Sequence, residues 1–367
     1  MAMKVLMLSR DHPPYAKGGM GVCSGYIERL LPEHGIELTI IAGDPTIYKV
    51  RKETRGLVSL YRVPLLGKTF LTRMPSFAYY AGGIIPKIEK RFDLLYSLSS
   101  PFVCRITRPL VAHFQGSRYG EYKACVLMGR PLYAFLNKAY IPYEKTLLKK
   151  ASGLIALSRD MAEELQFMGA QKERIEIIPN GVDTGLFKPV SARSFGQAVK
   201  TILYAGRLDA RKGIDILLSA VKNLPGSTGI AVRIAGVGRE EKRLRAQAAK
   251  LPFAVEFLGK VPYESLPAVY RHADLFVLPS LYEGLPLAAL EAMASATPTL
   301  VSTGCPDLGL PRFEKNNVRD LTSLLHATLS SSAQLKTLSE QGLRLSSQYD
   351  WQKVITRIAH YLKARAQ

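Results

Sequence analysis

The sequence has few cysteines and no long uninterrupted apolar segment. Its four cysteines are scattered and form no Cys-x-x-Cys pair, so neither a zinc site nor a disulfide framework is indicated. No uncharged run reaches ~18 residues without Pro or Gly, which argues against a transmembrane helix. The charges at Lys4, Arg10 and Asp11 leave too short an apolar run for a signal peptide. These absences predict a globular chain in a reducing cytosol.

Two motifs of metal and cofactor sites are also missing. No Asp-x-Asp is present to hold a divalent metal. The glycines at Gly18, Gly19 and Gly21 lack the Gly-x-Gly-x-x-Gly spacing of a dinucleotide site, although they permit close approach of a phosphate or a sugar. The sequence therefore predicts neither a metal site nor a cofactor.

The length of 367 residues exceeds what one hydrophobic core usually serves, so two domains are expected. Short apolar runs such as Val5–Leu8 alternate with amphipathic stretches along the chain, which is typical of α/β architecture with parallel sheets. Two series of such runs are separated at 179–194, where Pro, Asn, Gly and Ser concentrate. We predict two doubly wound domains, 1–185 and 186–349.

The most informative segment follows an apolar run that ends at Leu278. A polar loop with Glu283 and Gly284 leads into a helix predicted to start near Pro286, whose free N–H groups and dipole favour a phosphate. Glu291 lies eight positions after Glu283, and the two carboxylates can accept hydrogen bonds from hydroxyl pairs on one extended ligand. The structural alternative is that Glu283 caps the helix and Glu291 pairs with a surface base.

A second segment with candidate site residues directly follows another apolar run. Arg207 and Lys212 stand where the strand meets the loop, at the carboxyl edge where open α/β sheets bind ligands. Two fixed cations there can hold a diphosphate leaving group and offset its charge as it departs. Ordinary loop cations are the alternative. His113, which follows the run Leu110–Ala112, is expected at the corresponding edge of the first domain.

The net charge of +20 indicates anionic partners. Residues 49–91 hold ten basic side chains against Glu53 and Glu89, with aromatic residues among them. Such a surface attracts phospholipid headgroups, nucleic acid or diphosphate substrates. The alternative is a generally basic, solvated face.

Taken together, these segments resemble the retaining GT-B glycosyltransferases, a large family that includes bacterial and archaeal mannosyl- and glucosyltransferases. The likeness runs from the first strand to about Cys305. The matching segments are Lys17-Gly18-Gly19, His113, Pro179-Asn180-Gly181-Val182-Asp183, Gly206-Arg207 with Lys212-Gly213, and Glu283-Gly284 with Glu291. The resemblance implies the GT-B fold, with two Rossmann-like domains, a cleft between them, and a helix near 350–367 that returns to the first domain.

The resemblance also implies a role for each matching residue. Gly18 and Gly19 would line the donor phosphates and the acceptor side, and His113 would contact the donor sugar. Arg207 and Lys212 would hold the diphosphate.

In the same comparison, Glu283 would bind hexose hydroxyls and Glu291 the ribose. The backbone that would meet the phosphates runs through Gly284, Leu285, Pro286 and Leu287. Phe114 follows His113 where relatives have Asp or Gly. Where relatives have a Cys-Gly-x-Pro turn and later an Asn-Gly segment, this chain has Ala294–Pro298, then Gly304–Gly309 and a shortened Arg312–Asp320.

The resemblance thus implies a metal-independent, retaining hexosyltransferase that uses a nucleotide-diphosphate sugar and no cofactor. We expect a lipid-linked or growing glycan acceptor, a cytoplasmic chain at the anionic inner face of the cell membrane, and no nucleic-acid partner. The alternatives are a soluble acceptor, a nucleotide-sugar epimerase of the same fold, and a catalytically degenerate basic protein that binds membrane or nucleic acid.

Overall fold

The computed structural model describes most of the chain. The described residues are 2–16, 18–67, 70–189 and 199–366. Lys17 of the glycine-rich segment, Lys68 of the basic stretch and residues 190–194 of the interdomain break lie outside them.

Strands and helices alternate along the described residues, as the pattern of apolar runs predicts. The strands are β1 Met3–Ser9, β2 Ile36–Asp44, β3 Arg51–Arg55, β4 Val58–Pro64, β5 Leu94–Leu98, β6 Leu110–His113, β7 Gly153–Ala156, β8 Ile175–Ile177, β9 Lys200–Ala205, β10 Ile230–Ala235, β11 Ala254–Gly259, β12 Leu275–Leu278, β13 Thr299–Ser302 and β14 Arg312–Phe313. The helices are α1 Gly19–Leu30, α2 Phe70–Ile88, α3 Arg118–Leu127, α4 Pro131–Lys150, α5 Arg159–Phe167, α6 Ile214–Lys222, α7 Glu241–Ala248, α8 Leu266–Arg271, α9 Leu287–Ala294, α10 Val318–Leu329, α11 Ser332–Ser346 and α12 Trp351–Arg365.

The strands form two sheets, one in each of two compact units. The first sheet has the order β3-β4-β2-β1-β5-β6-β7-β8, and its neighbours are parallel except for β3, which is antiparallel to β4. The second has the order β11-β10-β9-β12-β13-β14 and is parallel throughout. Helices connect most of the parallel strands, whereas loops lead from β5 to β6 and from β13 to β14. The prediction of two Rossmann-like α/β domains is therefore confirmed.

Burial explains why the strands appear in the amino-acid sequence as continuous apolar runs. A parallel sheet is covered by helices on both faces, so its central strands have no solvent-facing side. In β1, Val5 through Leu8 are all fully buried, and Val5 lies between Leu38 of β2 and Leu94 of β5. The same apolar character without alternation recurs in β12 of the second sheet, which is buried along its whole length.

The two units differ in extent from the domains expected from the sequence. The first unit comprises Met1–Tyr119, Leu136–Asn180 and Trp351–Gln367, and the second comprises Gly120–Phe135 and Gly181–Asp350. The chain thus passes to the second unit after Asn180 instead of after residue 185. Helix α12 belongs to the first unit, where the Trp351 ring stacks on Tyr26 at 5.0 Å between centroids.

Residues 120–135 were assigned to the first domain from the sequence, but they group with the second unit, with which they also form two ion pairs. Glu121 forms an ion pair with Arg211. Arg130 lies 3.0 Å from Glu240. These pairs join positions distant in the sequence, so periodicity and composition could not reveal them.

Three of the ten basic residues in the stretch 49–91 lie on the edge strand β3. Arg51, Lys52 and Arg55 are exposed, since β3 pairs with β4 on one side only. Arg62, unlike these three residues, is buried: its side chain is 2% exposed and its Nε donates to Glu53 at 2.8 Å. None of the described helices is both long enough and apolar enough to span a membrane.

Candidate active site

Two loops at the carboxyl edge of the second sheet are joined by an ion pair. One loop follows β9 and the other follows the adjacent strand β12. Lys212 Nζ, from the first loop, lies 2.5 Å from Glu283 Oε1, from the second. Ser280 Oγ donates to the same carboxylate oxygen at 2.6 Å. The structure therefore brings together two of the residues singled out in the sequence.

Glycine is required where the two loops meet. Gly213 has a φ of +63°, and a Cβ there would lie 2.1 Å from the carbonyl oxygen of Pro279. Any side chain would push the β9 loop off the β12 loop and would also strain the backbone. Gly213 thus sets the distance at which Lys212 can reach Glu283.

Glu283 is held as a carboxylate. Burial opposes its ionisation, but attraction to Lys212 and the hydrogen bonds from Lys212 and Ser280 outweigh burial, so the pKa of this carboxyl lies below its usual range. Its Oε2 has no hydrogen-bond partner among the described residues. The alternative that Glu283 caps the next helix is wrong, because the N-cap is Pro286 and no side chain caps that end.

Arg207 is an exposed cation that precedes Lys212 in the loop after β9. Its side chain is exposed and forms no ion pair or hydrogen bond among the residues that the structure describes, while its carbonyl accepts the Tyr204 hydroxyl at 2.8 Å. The neighbouring Arg211 behaves differently: it pairs with Glu121, and its carbonyl accepts the N–H of Leu281 at 2.7 Å. Arg211 fastens the loop, and Arg207 remains available to a ligand.

Helix α9 begins one residue later than expected, at Leu287. Pro286 is its N-cap, and the Pro286 carbonyl accepts the N–H groups of Ala289 and Leu290. The first N–H groups of a helix have no partner within the helix, so those of Leu287 and Ala288 are left for a ligand or for water. Gly284 and the partly buried loop before the helix complete this backbone surface.

Glu291 lies about one turn into α9 and is 7% exposed. The Tyr270 hydroxyl, from α8, donates to Glu291 Oε2 at 2.7 Å. Burial raises the pKa of Glu291 to about 7, although the Tyr270 bond works in the opposite direction. A pairing of Glu291 with a surface base, the alternative considered from the sequence, is therefore wrong.

The segment that departs from the family pattern remains attached to the Glu283 loop. The carbonyl of Gly304 accepts the Glu283 N–H at 2.9 Å. Arg312 Nη2 donates to the carbonyls of Thr303 and Cys305 at 3.3 and 3.0 Å. The substituted turn therefore still packs on the candidate site.

In the first unit, the glycine-rich segment forms the start of α1. Gly18 is the N-cap, and a Cβ at this position would meet open space. Gly19 is the first residue of the helix. A Cβ at Gly21, by contrast, would lie 2.0 Å from the carbonyl oxygen of Ala16. Gly21 therefore serves the packing of the turn, whereas Gly18 leaves space at the carboxyl end of β1.

His113, at the end of β6, is buried and hydrogen-bonded on both ring nitrogens. Nδ1 lies 2.6 Å from the Tyr96 hydroxyl, and Nε2 lies 3.2 Å from the amide nitrogen of Gln115. Gln115 and Asn180 exchange two further hydrogen bonds, at 2.7 and 3.1 Å. Burial lowers the pKa of His113 to about 3, so the imidazole is neutral at physiological pH. Phe114, beside it, is buried.

Three residues of the second unit that support the site were missed in the sequence. Arg211 and Ser280 lie inside the segments singled out, so their positions were a signal. Tyr270 lies on a different helix from Glu291 and carried no such signal. Among the described residues, no group of three or more His, Cys, Asp or Glu side chains could hold a metal ion.

The chain matches two family models that together cover most of its length. Residues 17–186 match the family described as Glycosyltransferase Family 4, and residues 192–320 match Glycosyl transferases group 1. Each match corresponds to one Rossmann-like sheet of the structure. The chain belongs to the GT-B glycosyltransferases, and its general activity is glycosyl transfer.

Three known proteins illustrate the likeness. The glycogen synthase of Mycobacterium tuberculosis is 28% identical over 410 positions, which cover 99% of this chain and 95% of that protein. The sucrose-phosphate synthase structure from Thermosynechococcus elongatus has a TM-score of 0.80 at 19% identity and covers 99% of this chain and 98% of its own. The Anabaena Alr3699/HepE structure in complex with UDP and glucose has a TM-score of 0.74 at 18% identity, covering 99% and 100%. The two structures support the fold.

Proposed function

We propose that this glycosyltransferase moves a hexosyl group from a nucleoside diphosphate sugar to a hydroxyl acceptor, with retention of anomeric configuration and without a metal ion. The observation that carries the proposal is the Lys212–Glu283 ion pair, which fixes a cation and a carboxylate side by side at one sheet edge. A diphosphate needs the cation and a sugar needs the carboxylate. The UDP and glucose bound to the Anabaena relative support a donor of this class.

The diphosphate is assigned to Arg207, Lys212 and the start of α9. Arg207 is exposed and has no described partner, so it can bind a phosphate without losing an internal contact. The free N–H groups at Leu287 and Ala288 add donors, and the helix dipole favours negative charge there. These groups offset the charge that develops on the diphosphate as the bond to the sugar breaks, which is the role a metal ion would otherwise serve.

The two carboxylates are assigned to different sugars of the donor. Glu283 keeps one oxygen on Lys212 and Ser280 and has the other free for hexose hydroxyls. Glu291 keeps one oxygen on Tyr270 and has the other for the ribose.

In the reaction, the bond from the anomeric carbon to the diphosphate breaks, and the bond to the acceptor oxygen forms on the same face of the sugar. The departing phosphate oxygen takes the acceptor proton.

For the first unit we propose the roles that the family likeness implies. Gly18 and Gly19 line the phosphates and the acceptor, and His113 contacts the donor sugar. His113 is neutral, and its two nitrogens are bonded to Tyr96 and Gln115, so Gln115 must release Nε2 before the imidazole can bind the donor sugar. As a neutral, oriented group, it does not carry the acceptor proton.

The test is donor turnover with water as the acceptor, followed by proton NMR in the presence of EDTA. With UDP-glucose, GDP-mannose or ADP-glucose, we expect one donor to be hydrolysed and the α-anomer of the hexose to appear before mutarotation. Arg207→Gln should lower the rate by about 10²-fold or more. First appearance of the β-anomer would contradict retention, and loss of turnover on adding EDTA would contradict metal independence.

We further propose that the acceptor is carried by an anionic membrane, so that it is lipid-linked or a growing glycan. The support is the β3 patch, defined as Tyr48, Lys49, Arg51, Lys52 and Leu57. Tyr48 and Leu57 are 84% and 87% exposed, and the three cations lie between them. Cations flanked by large apolar side chains suit a bilayer with anionic headgroups.

Liposome co-sedimentation tests the β3 patch. We expect binding to phosphatidylglycerol-containing vesicles and little binding to phosphatidylcholine. The triple change of Lys49, Arg51 and Lys52 to Gln removes about 3 kcal/mol, or about 100-fold in affinity. The matched control changes Lys87, Lys90 and Arg91 to Gln, which removes the same charge elsewhere on the exposed surface. Equal losses in the two variants, or no lipid preference, would favour a soluble acceptor.

A further inference from the structure

Tyr270 contacts the proposed ribose carboxylate without reaching solvent. Its side chain is fully buried on α8, and its hydroxyl donates to Glu291 Oε2 at 2.7 Å. A residue with no exposed surface cannot touch a donor bound at the edge of the sheet. Any effect of Tyr270 on the ligand must therefore act through Glu291.

The Tyr270 ring is held from several sides. It packs edge-to-face on Phe187 and Phe276, with centroids 5.9 and 5.6 Å apart. The carbonyl of Tyr270 accepts the Thr297 hydroxyl at 2.8 Å. Because ring and backbone are both fixed, the hydroxyl has one position, and the carboxylate that accepts from it has one preferred orientation.

This orientation leaves the two oxygens of Glu291 unequal. Oε2 is occupied by Tyr270, and Oε1 has no hydrogen-bond partner in the described part of the chain. Oε1 is not among the buried side-chain atoms that lack a partner, so it reaches solvent in the unliganded protein. When a ligand covers it, this oxygen costs free energy unless a hydroxyl of the ligand donates to it. A site built in this way rejects an analogue that lacks the hydroxyl, because the carboxylate then stays unsatisfied.

We propose that Tyr270 is a positioning residue that makes the donor site require a ribose and reject a 2′-deoxyribose. The inference rests on the proposed function, since it takes Glu291 as the ribose ligand. Without the Tyr270 hydroxyl, Glu291 can turn, and either oxygen can find water or a neighbouring group. The preference for the 2′-hydroxyl then falls, while the contacts to the diphosphate stay.

The test is calorimetric titration with three pairs of nucleotides: UDP and 2′-deoxy-UDP, GDP and 2′-deoxy-GDP, and ADP and 2′-deoxy-ADP. We expect wild type to bind one ribonucleotide about tenfold or more tightly than its deoxy form. In Tyr270→Phe, the affinity for the ribonucleotide should fall until the preference is below about threefold, and the affinity for the deoxy form should stay. The matched control is Tyr361→Phe, which removes another buried hydroxyl, one that donates to the Arg174 carbonyl at 2.7 Å in the first unit.

The outcomes separate the two claims. Loss of the preference in Tyr270→Phe, with the preference kept in Tyr361→Phe, supports the positioning role, since a general loss of stability would affect both variants. An unchanged preference in Tyr270→Phe, or wild-type binding with no preference, overturns the inference but leaves the donor class intact. Failure of wild type to bind any of the six nucleotides overturns the proposed function and the inference with it.

Discussion

Replacing Glu291 by glutamine should stabilise the unliganded protein while removing its donor binding. The carboxyl is buried, and burial raises its pKa to about 7 from the ordinary 4.5. The folded state therefore binds a proton that the unfolded state releases between these two values. The native protein loses stability as the pH rises from about 4.5 to 7, and the full cost is present above pH 7.

The magnitude follows from the pKa difference. A rise of about 2.5 units corresponds to about 3 kcal/mol at pH 8. Glutamine keeps a carbonyl that can accept from Tyr270. Its amide N–H groups need partners, however, and this requirement reduces the gain in stability by about 1 kcal/mol. We expect a net gain of about 2 kcal/mol, or a Tm higher by about 4–8 °C at pH 8.

Thermal unfolding of Glu291→Gln and wild type from pH 4.5 to 8.5 measures this effect. The two Tm curves should separate progressively above pH 5, and the variant should lose its shift with nucleotide sugar. The control is Glu241→Gln on the exposed side of α7, where the pair with Arg245 is half in solvent and worth less than about 0.5 kcal/mol. A variant no more stable than wild type at pH 8, or a gain independent of pH, would refute the reasoning.

Three further outcomes follow from the site. Lys212→Gln leaves the mostly buried Glu283 without its cation. The free energy of unfolding, measured in urea, should fall by about 2 kcal/mol, a value between those for buried and exposed ion pairs. Gly213→Ala should lower the free energy of unfolding more than Gly226→Ala does, by well over 1 kcal/mol, because both glycines have positive φ but a Cβ meets Pro279 only at Gly213. NMR titration should show His113 neutral down to about pH 4, and a pKa near 6.5 would contradict its burial.

Much of the fold could be predicted because burial leaves a direct trace in the sequence. Strands covered on both faces need continuous apolar residues, so β1 and β12 could be recognised from their own composition. The start of α9 was predicted within one residue, since Pro286 and Gly284 mark the turn chemically.

Contacts between distant segments left no such trace. Residues 120–135 group with the second unit, and the partners of Glu121 and Arg130 there lie far along the chain. The orientation of Glu291 depends on Tyr270, whose apolar surroundings made it look like an ordinary core residue. In both cases the partner is chosen by the tertiary fold.

The candidate site was predicted as a set of residues, but not as an arrangement. Arg207 and Lys212 were assigned the same role, yet Lys212 is bonded to Glu283 and Arg207 is exposed. His113 was expected near the ligand, and it is buried between Tyr96 and Gln115. Spacing indicates which residues share an edge of a sheet, whereas side-chain partners decide which of them remain free for a ligand.

The central claim is that the second unit binds a nucleotide-diphosphate sugar through Arg207 and its neighbours without a metal. The most direct measurement is a thermal-shift panel of UDP-glucose, GDP-mannose and ADP-glucose in EDTA, on wild type and Arg207→Gln. At a hundred times its dissociation constant, the correct donor adds about 2.7 kcal/mol and raises the Tm by about 5–10 °C. We predict such a rise in Tm with the sugar of one nucleotide in wild type, and a much smaller rise in Arg207→Gln. The Tm of the unliganded variant should be unchanged, because Arg207 has no described partner. No rise with any donor would contradict the account.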